Sequence, residues 1–272
     1  EPLMDACIAA GVHYLDITGE VSVFQAAHRR HDAARAAGAI LCPGTGFDIV
    51  PTDCLAAQLK AGLPEATELE LAFDFGTLPS FGTTKTAIQS IGDGCLIRRG
   101  GEVTAVALGY RIRKIPFPGG DKWGVTLPWG DVFTSGVSTG IPDAMVYCAL
   151  PRALCLAMRA TNPIRGLLAR PSAQKLLTSA ARRILEPGPD DNTRANTRTA
   201  FWGRVQSADG RSLSGTLTGP SVYTMTADLT VAMAALMAAS QAEGGYYTAS
   251  MLAGKDFLNA RPGYAMEIDG VR

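Results

Sequence analysis

The sequence predicts an α/β protein. Part of a doubly wound parallel sheet, the Rossmann architecture, is followed by a larger α+β domain with a mostly antiparallel sheet. Short apolar strands alternate with helices over residues 1–50, which is typical of a parallel sheet covered by helices. The segment 68–75 instead alternates apolar and acidic residues, as a half-buried strand does. We therefore expect the C-terminal part of a Rossmann domain in 1–50, an α+β substrate and dimerisation domain in 51–250, and a tail, 251–272, that returns to the first domain.

The individual elements follow from local signals. Gly11 and Gly38 end two helices, and Pro51 lies in the first turn of a third. Gly100-Gly101 and Ala208-Asp209-Gly210 are typical hairpin turns. The predicted helices cover 3–11, 21–37, 51–61, 82–91, 220–239 and 249–252, and the predicted strands and hairpins cover 13–17, 39–42, 68–75, 95–108, 197–218 and 264–268.

Three further segments have less regular patterns. Residues 109–143 are rich in Gly and Pro and contain Trp123 and Trp129, which predicts a binding or lid loop. Residues 144–185 predict helices interrupted at prolines, and 186–196 predict a mobile loop. The first fifty residues supply only two strands, too few for a stable sheet. We therefore expect that the front half of the Rossmann domain precedes Glu1 in the full protein.

Composition removes several classes of function. Lys plus Arg and Asp plus Glu number 25 each, so the net charge is zero and does not favour nucleic acid as a partner. No charge-free apolar run of about 18 residues is present, and no transmembrane segment is expected. The six cysteines lack zinc-binding spacing, so we expect no metal and reduced thiols in a cytoplasmic protein.

Polar and small residues follow two of the predicted parallel strands. Gly44-Thr45-Gly46-Phe47-Asp48 comes after the strand 39–42, where open α/β sheets bind ligands, although it lacks the dinucleotide fingerprint. Asp16, Thr18 and Glu20 follow the strand 13–17 and could line a ligand or cap the next helix.

Other candidate positions lie further along the chain or on its polar faces. Pro128-Trp129-Gly130-Asp131 could form a pocket floor or a structural loop, and Lys85 could meet a phosphate at a helix start. His28 and His31 indicate a solvated helix face, because no ligand partner is visible for them.

Five segments in fixed order carry a resemblance to a known family. They are HYLDITGE, CPGTGFDIVPTDCLA, GTTKTAIQSIGDG, PWGDVFTSGVSTGIPDAMVY and GGYYTAS. Together they resemble the saccharopine-dehydrogenase-like oxidoreductases, which include bacterial saccharopine reductases and mycobacterial trans-acting enoyl reductases. Ile49 and Cys54 depart from the residues common in that family.

The resemblance implies hydride transfer between NADP or NAD and a small-molecule imine or activated C=C substrate. It implies Asp48, Asp53 and Lys85 as polar groups near the reacting centre. The positions it implies beside the cofactor are Asp16, Thr18, Gly19, Glu20, Gly44, Gly46 and Phe47. It also implies a homodimer. With the pyrophosphate loop outside this chain, we expect these 272 residues alone to be inactive. The alternative is a non-catalytic binding or assembly protein on the same scaffold, associated with lipid or a partner.

Overall fold

The structure is a computed structural model that describes residues 1–77, 81–184 and 191–271. Its helices are α1 (Pro2–Ala10), α2 (Val21–His28), α3 (His31–Ala36), α4 (Val50–Gly62), α5 (Phe81–Gln89), α6 (Asp131–Thr139), α7 (Arg152–Ala160), α8 (Arg165–Leu168), α9 (Pro171–Ile184), α10 (Asp191–Asn196), α11 (Val222–Ala239) and α12 (Ala249–Ala253). Its strands are β1 (Tyr14–Leu15), β2 (Ile40–Cys42), β3 (Ala66–Asp74), β4 (Cys95–Arg99), β5 (Glu102–Val106), β6 (Ile112–Phe117), β7 (Gly120–Thr126), β8 (Asp143–Ala149), β9 (Thr199–Ser207), β10 (Ser212–Gly219), β11 (Gly245–Tyr246) and β12 (Ala265–Ile268).

The N-terminal strands belong to a small parallel sheet with the order β1-β2-β11. Tyr14 pairs with Leu41, and Gly245 pairs with Ile40 from the other side, both in parallel register. The third strand therefore arrives from a point more than two hundred residues along the chain. All three strands point the same way, so their carboxyl ends share one edge of the sheet.

The larger sheet has the order β12-β10-β9-β3-β8-β4-β5, and the hairpin β6–β7 joins it through β7 on β8. The β3–β8 pair is parallel, whereas the other pairs in this sheet are antiparallel. A small parallel sheet beside a larger mixed one confirms the predicted fold class. The division into domains at residue 50 stays a prediction.

The core lies where α4 and α11 cover the large sheet. Leu55 and Leu59 of α4 approach β9 so closely that a Cβ on Gly203 would lie 2.7 Å from Leu59. From α11, the buried side chains of Met225, Leu229, Met233 and Met237 join the same apolar cluster. A continuous core of this kind is what normally stabilises a domain against its conformational entropy.

Residues 109–143 are not a loop, which corrects the prediction. They form the hairpin β6–β7 and the helix α6. On β6, Ile115 and Phe117 are buried while Lys114 and Pro116 are exposed, so the segment has the period-two pattern of a strand. The glycines and prolines are concentrated in the turns between these elements, and their number obscured the regular residues on either side.

The prediction of helix from residue 144 onward is also wrong at its start, because Asp143–Ala149 is strand β8. This strand is paired on both edges, by β3 and by β4 and β7. Apolar clusters also cover both of its faces. A strand covered on both faces has a continuous apolar sequence rather than an alternating one, so the spacing of its apolar residues does not distinguish it from a buried helix.

Three smaller differences concern helix ends and the tail. The helix predicted over 21–37 is broken into α2 and α3 at Arg29 and Arg30. Of the predicted mobile loop 186–196, residues 186–190 lie outside the described residues and 191–196 form α10. The last strand, β12, pairs with β10 in the large sheet, and the return to the small sheet is made earlier by β11.

By length and composition, α11 could cross a membrane, and it is the one helix in the described part of the chain that meets this test. Its inner side packs in the core, and its Asp228 carboxylate accepts hydrogen bonds from Arg261 at 2.5 Å and from Tyr264 at 3.0 Å. An ion-paired carboxylate in mid-helix and a row of core contacts are typical of a helix in a globular domain.

We expect the two sides of α11 to respond differently to truncation. Leu229→Ala removes a fully buried side chain and should lower the free energy of unfolding by about 2–5 kcal/mol. Val231→Ala, on the outer side of the same helix, should change it by less than about 0.5 kcal/mol. Urea denaturation of both variants measures this, and equal losses would contradict the assignment of α11 to the core.

Candidate functional site

The segments that follow β1, β2 and β11 meet at the carboxyl edge of the small sheet. Asp16 follows β1, and its side-chain Oδ1 accepts the Gly44 N–H at 2.9 Å. The backbone oxygen of Asp16 accepts both the N–H of Thr45 at 2.8 Å and its hydroxyl at 2.9 Å. The loop after β2 is thereby tied to the loop after β1, as expected for two predicted site segments on neighbouring parallel strands.

Asp16, Thr18 and Glu20 build a turn. Besides Gly44, Asp16 accepts the Tyr14 hydroxyl at 2.5 Å and the Thr18 N–H at 3.0 Å. The Thr18 hydroxyl accepts the Glu20 N–H at 3.2 Å. Glu20 occupies the N-cap position of α2, but its side chain makes no capping hydrogen bond. The carboxylate of Asp16 is therefore largely occupied in holding the two loops together.

The glycines of the loop after β2 serve packing within the protein. Gly44 has a φ of 76°, and a Cβ there would lie 2.7 Å from Ile49 and 2.8 Å from the Phe24 ring. A Cβ on Gly46 would lie 2.8 Å from Thr226 of α11. These glycines and Phe47 are buried, so their assignment to cofactor binding stays a prediction.

Asp48 is the one half-exposed residue in this loop. Its backbone oxygen accepts the indole N–H of Trp129 at 2.7 Å, and Gly19 lies against its side chain. Burial, reinforced by the Asp16 carboxylate, raises the pKa of Asp48 to about 7. A carboxyl group that reaches solvent and titrates near neutrality is suited to give or take a proton.

Asp53 lies behind Asp48 on α4 and is fully buried. Its Oδ2 accepts the backbone N–H of Ser250 at 2.7 Å, which joins α4 to the segment after β11. Burial raises the pKa of Asp53, and the hydroxyls of Ser138, Ser250 and Thr248 oppose this shift. Since no surface of Asp53 is exposed, its side chain positions other groups rather than touching a ligand.

The structure adds Asp131, which the assignment of site residues missed. It begins α6, directly after Trp129 and Gly130, and is fully buried. Burial raises its pKa well above the ordinary value. The charges of Asp53 and Asp48 add to this effect, while the Thr52 hydroxyl opposes it. The one sequence signal for Asp131 was its place in the Pro128–Asp131 motif. A single motif does not show whether a carboxyl group is buried.

Asp48, Asp53 and Asp131, which we call the carboxyl cluster, lie among polar groups that lack partners. Within the described residues, six buried side-chain oxygens have no hydrogen-bond partner, and all belong to α4, α6 and β11. They are Asp53 Oδ1, both carboxyl oxygens of Asp131, and the hydroxyls of Thr134, Ser138 and Tyr246. Carboxyls that interact with one another and have no cation beside them keep protons at neutral pH. Protonated, they can donate the hydrogen bonds that carboxylates cannot.

Lys85 is not brought to this cluster. It lies exposed on α5, which packs against α9, and makes no hydrogen bond or ion pair with Asp48 or Asp53. A groove of about 540 Å³ lies there instead, lined by α9 and Gln89. None of the residues that line this groove belongs to the carboxyl cluster.

The histidines also have local roles. Nδ1 of His31 accepts the N–H of Tyr246, and the ring of His28 packs edge-on against Phe133 and Tyr246. They are thus partly engaged with the protein rather than lying on a purely solvated face. In the described ranges, no group of three or more His, Cys, Asp or Glu side chains is arranged to hold a metal ion.

Comparison with known proteins gives one informative likeness. No family model and no curated protein sequence matches this chain. Saccharopine dehydrogenase (L-Glu forming) of Saccharomyces cerevisiae aligns in structure over 98% of this chain and 82% of its own, with a TM-score of 0.59 and 10% identity. The chain shares the fold of saccharopine dehydrogenase. At this identity the likeness concerns the fold alone, and it confirms the coarse part of the predicted resemblance.

Two other solved structures align less well. A dehydrogenase of Chromobacterium violaceum aligns over 80% of this chain and 52% of its own, with 10% identity and a TM-score of 0.28. GenD2 from gentamicin A biosynthesis, in complex with NAD, aligns over 78% and 50%, with 12% identity and a TM-score of 0.27. TM-scores this low support no argument about the present chain.

We expect Asp131 to make stability fall as the pH rises. Its carboxyl keeps its proton in the folded state, whereas in the unfolded state it loses it near pH 4. Between those two pKa values the folded state binds more protons, so each pH unit should cost about 1.4 kcal/mol for one such group. Asp131→Asn resembles the protonated acid and should flatten this decline, measured by urea denaturation from pH 5 to pH 8.

The matched control for that series is Asp209→Asn. Asp209 is exposed, and hydrogen bonds from Ser207 and Arg211 lower its pKa to about 2, so it is ionised in both states above pH 5. Its replacement should leave the pH dependence unchanged. An unaltered pH dependence in Asp131→Asn would mean that Asp131 is ionised in the folded protein.

Gly44→Ala and Gly38→Ala separate packing from backbone strain. Both glycines have positive φ, 76° and 68°, so each substitution costs about 1 kcal/mol of strain. A Cβ at Gly38 meets nothing within 4 Å, whereas one at Gly44 meets Ile49 and Phe24. We expect Gly44→Ala to lower the free energy of unfolding by an additional 1–3 kcal/mol, roughly the cost of overpacking. Equal losses by thermal or urea denaturation would contradict the tight packing of the loop.

Proposed function

We propose that the protein is an NAD(P)-dependent oxidoreductase that transfers hydride between a nicotinamide cofactor and an imine or activated C=C bond. The observation that carries the proposal is the position of Asp48. A half-exposed carboxyl with a pKa of about 7 lies at the carboxyl edge of a parallel sheet, in a fold shared with a dehydrogenase. Fold alone would not carry a function, and the site supplies the chemical argument.

The charges at this edge of the sheet suit the nicotinamide ring of the cofactor better than its phosphates. Asp16 and Asp48 bring carboxylates to it, and the segments 16–20, 44–48 and 127–131 contain no Lys or Arg. The edge therefore suits the nicotinamide ring, which is cationic when oxidised, rather than the phosphates. When bound there, the cofactor supplies or accepts the hydride. Gly19 and Thr18, which are only partly buried, are the backbone positions that can approach the ring.

Asp48 would hold the proton that accompanies the hydride. In the reductive direction, the substrate carbon takes the hydride, and the nitrogen or the adjacent carbon takes a proton from the Asp48 carboxyl, leaving a carboxylate. The bond from Trp129 fixes the Asp48 backbone, so the acid is held in one place before the substrate arrives. NADP and NAD remain alternatives as the cofactor.

Asp53 and Asp131 act behind Asp48 as positioning residues. Neither has exposed surface, and Asp53 connects α4 to Ser250. Burial raises the pKa of both, which disfavours a further negative charge behind Asp48. Lys85 has no part in this proposal, because its exposed position on α5 gives it no contact with the cluster.

A non-catalytic binding protein on the same scaffold is the second candidate. The observation that favours it is the burial of Gly44, Gly46 and Phe47, which line the protein interior rather than an open cleft. The two candidates differ in whether the cofactor binds and whether Asp48 matters for turnover.

The cysteines support a reducing compartment. All six lie in the described part of the chain and have free thiols, and five of them are buried. Paired cysteines would be expected of a protein stabilised by disulfides in an oxidising compartment. We therefore propose a cytoplasmic location.

The test uses the full-length natural protein with NADPH and NADH. Binding is followed by quenching of tryptophan emission, and turnover is followed with imine and enoyl substrates across pH 5–9. We expect reduction to slow as the pH rises through about 7, because Asp48 must carry a proton. Asp48→Asn should lower turnover by roughly a hundredfold or more and abolish this pH dependence.

Asp209→Asn serves as the control, because it changes an exposed aspartate on the β9–β10 turn. It should leave turnover and its pH profile intact. Cofactor binding without any role for Asp48 would refute the assigned acid but keep the oxidoreductase. The absence of binding to either cofactor would favour the non-catalytic candidate.

A further inference from the structure

The neutral chain contains one strongly basic stretch. Residues 151–184, which form α7, α8 and α9, include seven arginines and lysines and no aspartate or glutamate. The cations are Arg152, Arg159, Arg165, Arg170, Lys175, Arg182 and Arg183. None of them forms an ion pair with a described acidic residue. We call this stretch the basic helical segment.

Within it, α7 exposes leucine side chains that an ordinary surface helix would bury. Its two arginines point toward the protein: Arg152 lies 4.9 Å over the Trp123 ring, and Arg159 donates to the backbone oxygen of Gly109 at 2.9 Å. Cys155 is its one buried residue. Its exposed residues are these two arginines and five apolar ones, Ala153, Leu154, Leu156, Ala157 and Ala160. A surface helix normally places its apolar side against the core.

The apolar exposure continues beyond α7. Ile164 and Leu167 are about half exposed, and Leu176 is 72% exposed. Lys175 and Arg170 lie exposed beside Leu176 and Leu167 in the sequence. Exposed leucine side chains, and exposed cations without an ion pair among the described residues, are the two features that hold a peripheral helix at a lipid surface.

We propose that the basic helical segment binds the surface of a membrane containing anionic lipids. The exposed leucines would enter the boundary between headgroups and acyl chains, and the exposed Arg170, Lys175 and Arg183 would meet lipid phosphates and carboxylates. The combination of exposed leucines with cations of one sign selects this partner, because such a membrane is apolar beneath a uniformly anionic surface. The proposal concerns where the protein works and is independent of the reaction at Asp48.

The proposal is consistent with a chain of zero net charge. Electrostatic attraction to an anionic surface decays over a Debye length of about 8 Å at physiological ionic strength. Only the charges that face the membrane therefore count, and each Lys or Arg near the surface contributes about a fivefold gain in affinity. The acidic residues that neutralise the chain lie outside the basic helical segment.

The experiment measures co-sedimentation of the protein with vesicles of phosphatidylcholine alone or mixed with phosphatidylserine. We expect binding to the mixed vesicles, weakening as salt is added, and little binding to phosphatidylcholine alone. Arg170→Gln combined with Lys175→Gln should weaken binding roughly twentyfold or more. Leu176→Ser should weaken it roughly tenfold, because an inserted side chain is lost.

Matched controls lie elsewhere on the surface. Val231 on α11 is 70% exposed, a fraction similar to the 72% of Leu176. Lys114 on β6 is an exposed cation outside the segment. Val231→Ser and Lys114→Gln should leave vesicle binding unchanged. Failure to bind phosphatidylserine vesicles at low salt would overturn the proposal. It would also be overturned if the controls weakened binding as much as the segment variants do. Since every altered side chain is exposed, circular dichroism should show unchanged folding in all of them.

Discussion

The Asp53 carboxyl is buried with no lysine or arginine beside it, and the arrangement of the site depends on how the fold accommodates it. One oxygen accepts the Ser250 N–H at 2.7 Å, which brings residues almost two hundred positions apart into contact and fixes α4 against the first turn of α12. A buried carboxylate without a cation is costly, so burial raises the pKa of Asp53 and favours its protonated form. Asp131 is likewise fully buried on α6, and neither of its carboxyl oxygens has a hydrogen-bond partner among the described residues.

This constraint divides the residues at the edge of the sheet into two kinds. Asp16 fastens the loop after β2 to the loop after β1, and Gly44 and Gly46 allow that loop to lie against α2 and α11. Asp48 is left at the boundary with solvent, held through its backbone by Trp129. Its acidity is set by the protein behind it, which is how an ordinary aspartate can titrate near neutrality. Polar residues near the edge of a sheet can therefore be structural, and the proposed mechanism gives the chemistry to the accessible one.

The sequence was informative where a pattern is local. Alternation of short strands and helices predicted the parallel sheet, and Gly100-Gly101 predicted the turn of the β4–β5 hairpin. It failed where a property depends on distant partners. Strand β8 is apolar after Asp143 because apolar clusters cover both of its faces, so it was mistaken for helix. Asp131 became a site residue only through its proximity to Asp53 and Asp48, and Lys85 left the site because α5 packs against α9.

The central claim is that the carboxyl cluster keeps protons at neutral pH, and infrared spectroscopy tests it directly. Protonated carboxyl groups absorb in a region separate from ionised ones, and buried groups exchange slowly with deuterated solvent. The account predicts a protonated-carboxyl band at pH 7 that decreases in Asp131→Asn and in Asp53→Asn and persists in Asp209→Asn. A spectrum at pH 7 with ionised carboxylates alone, unchanged by these substitutions, would contradict it.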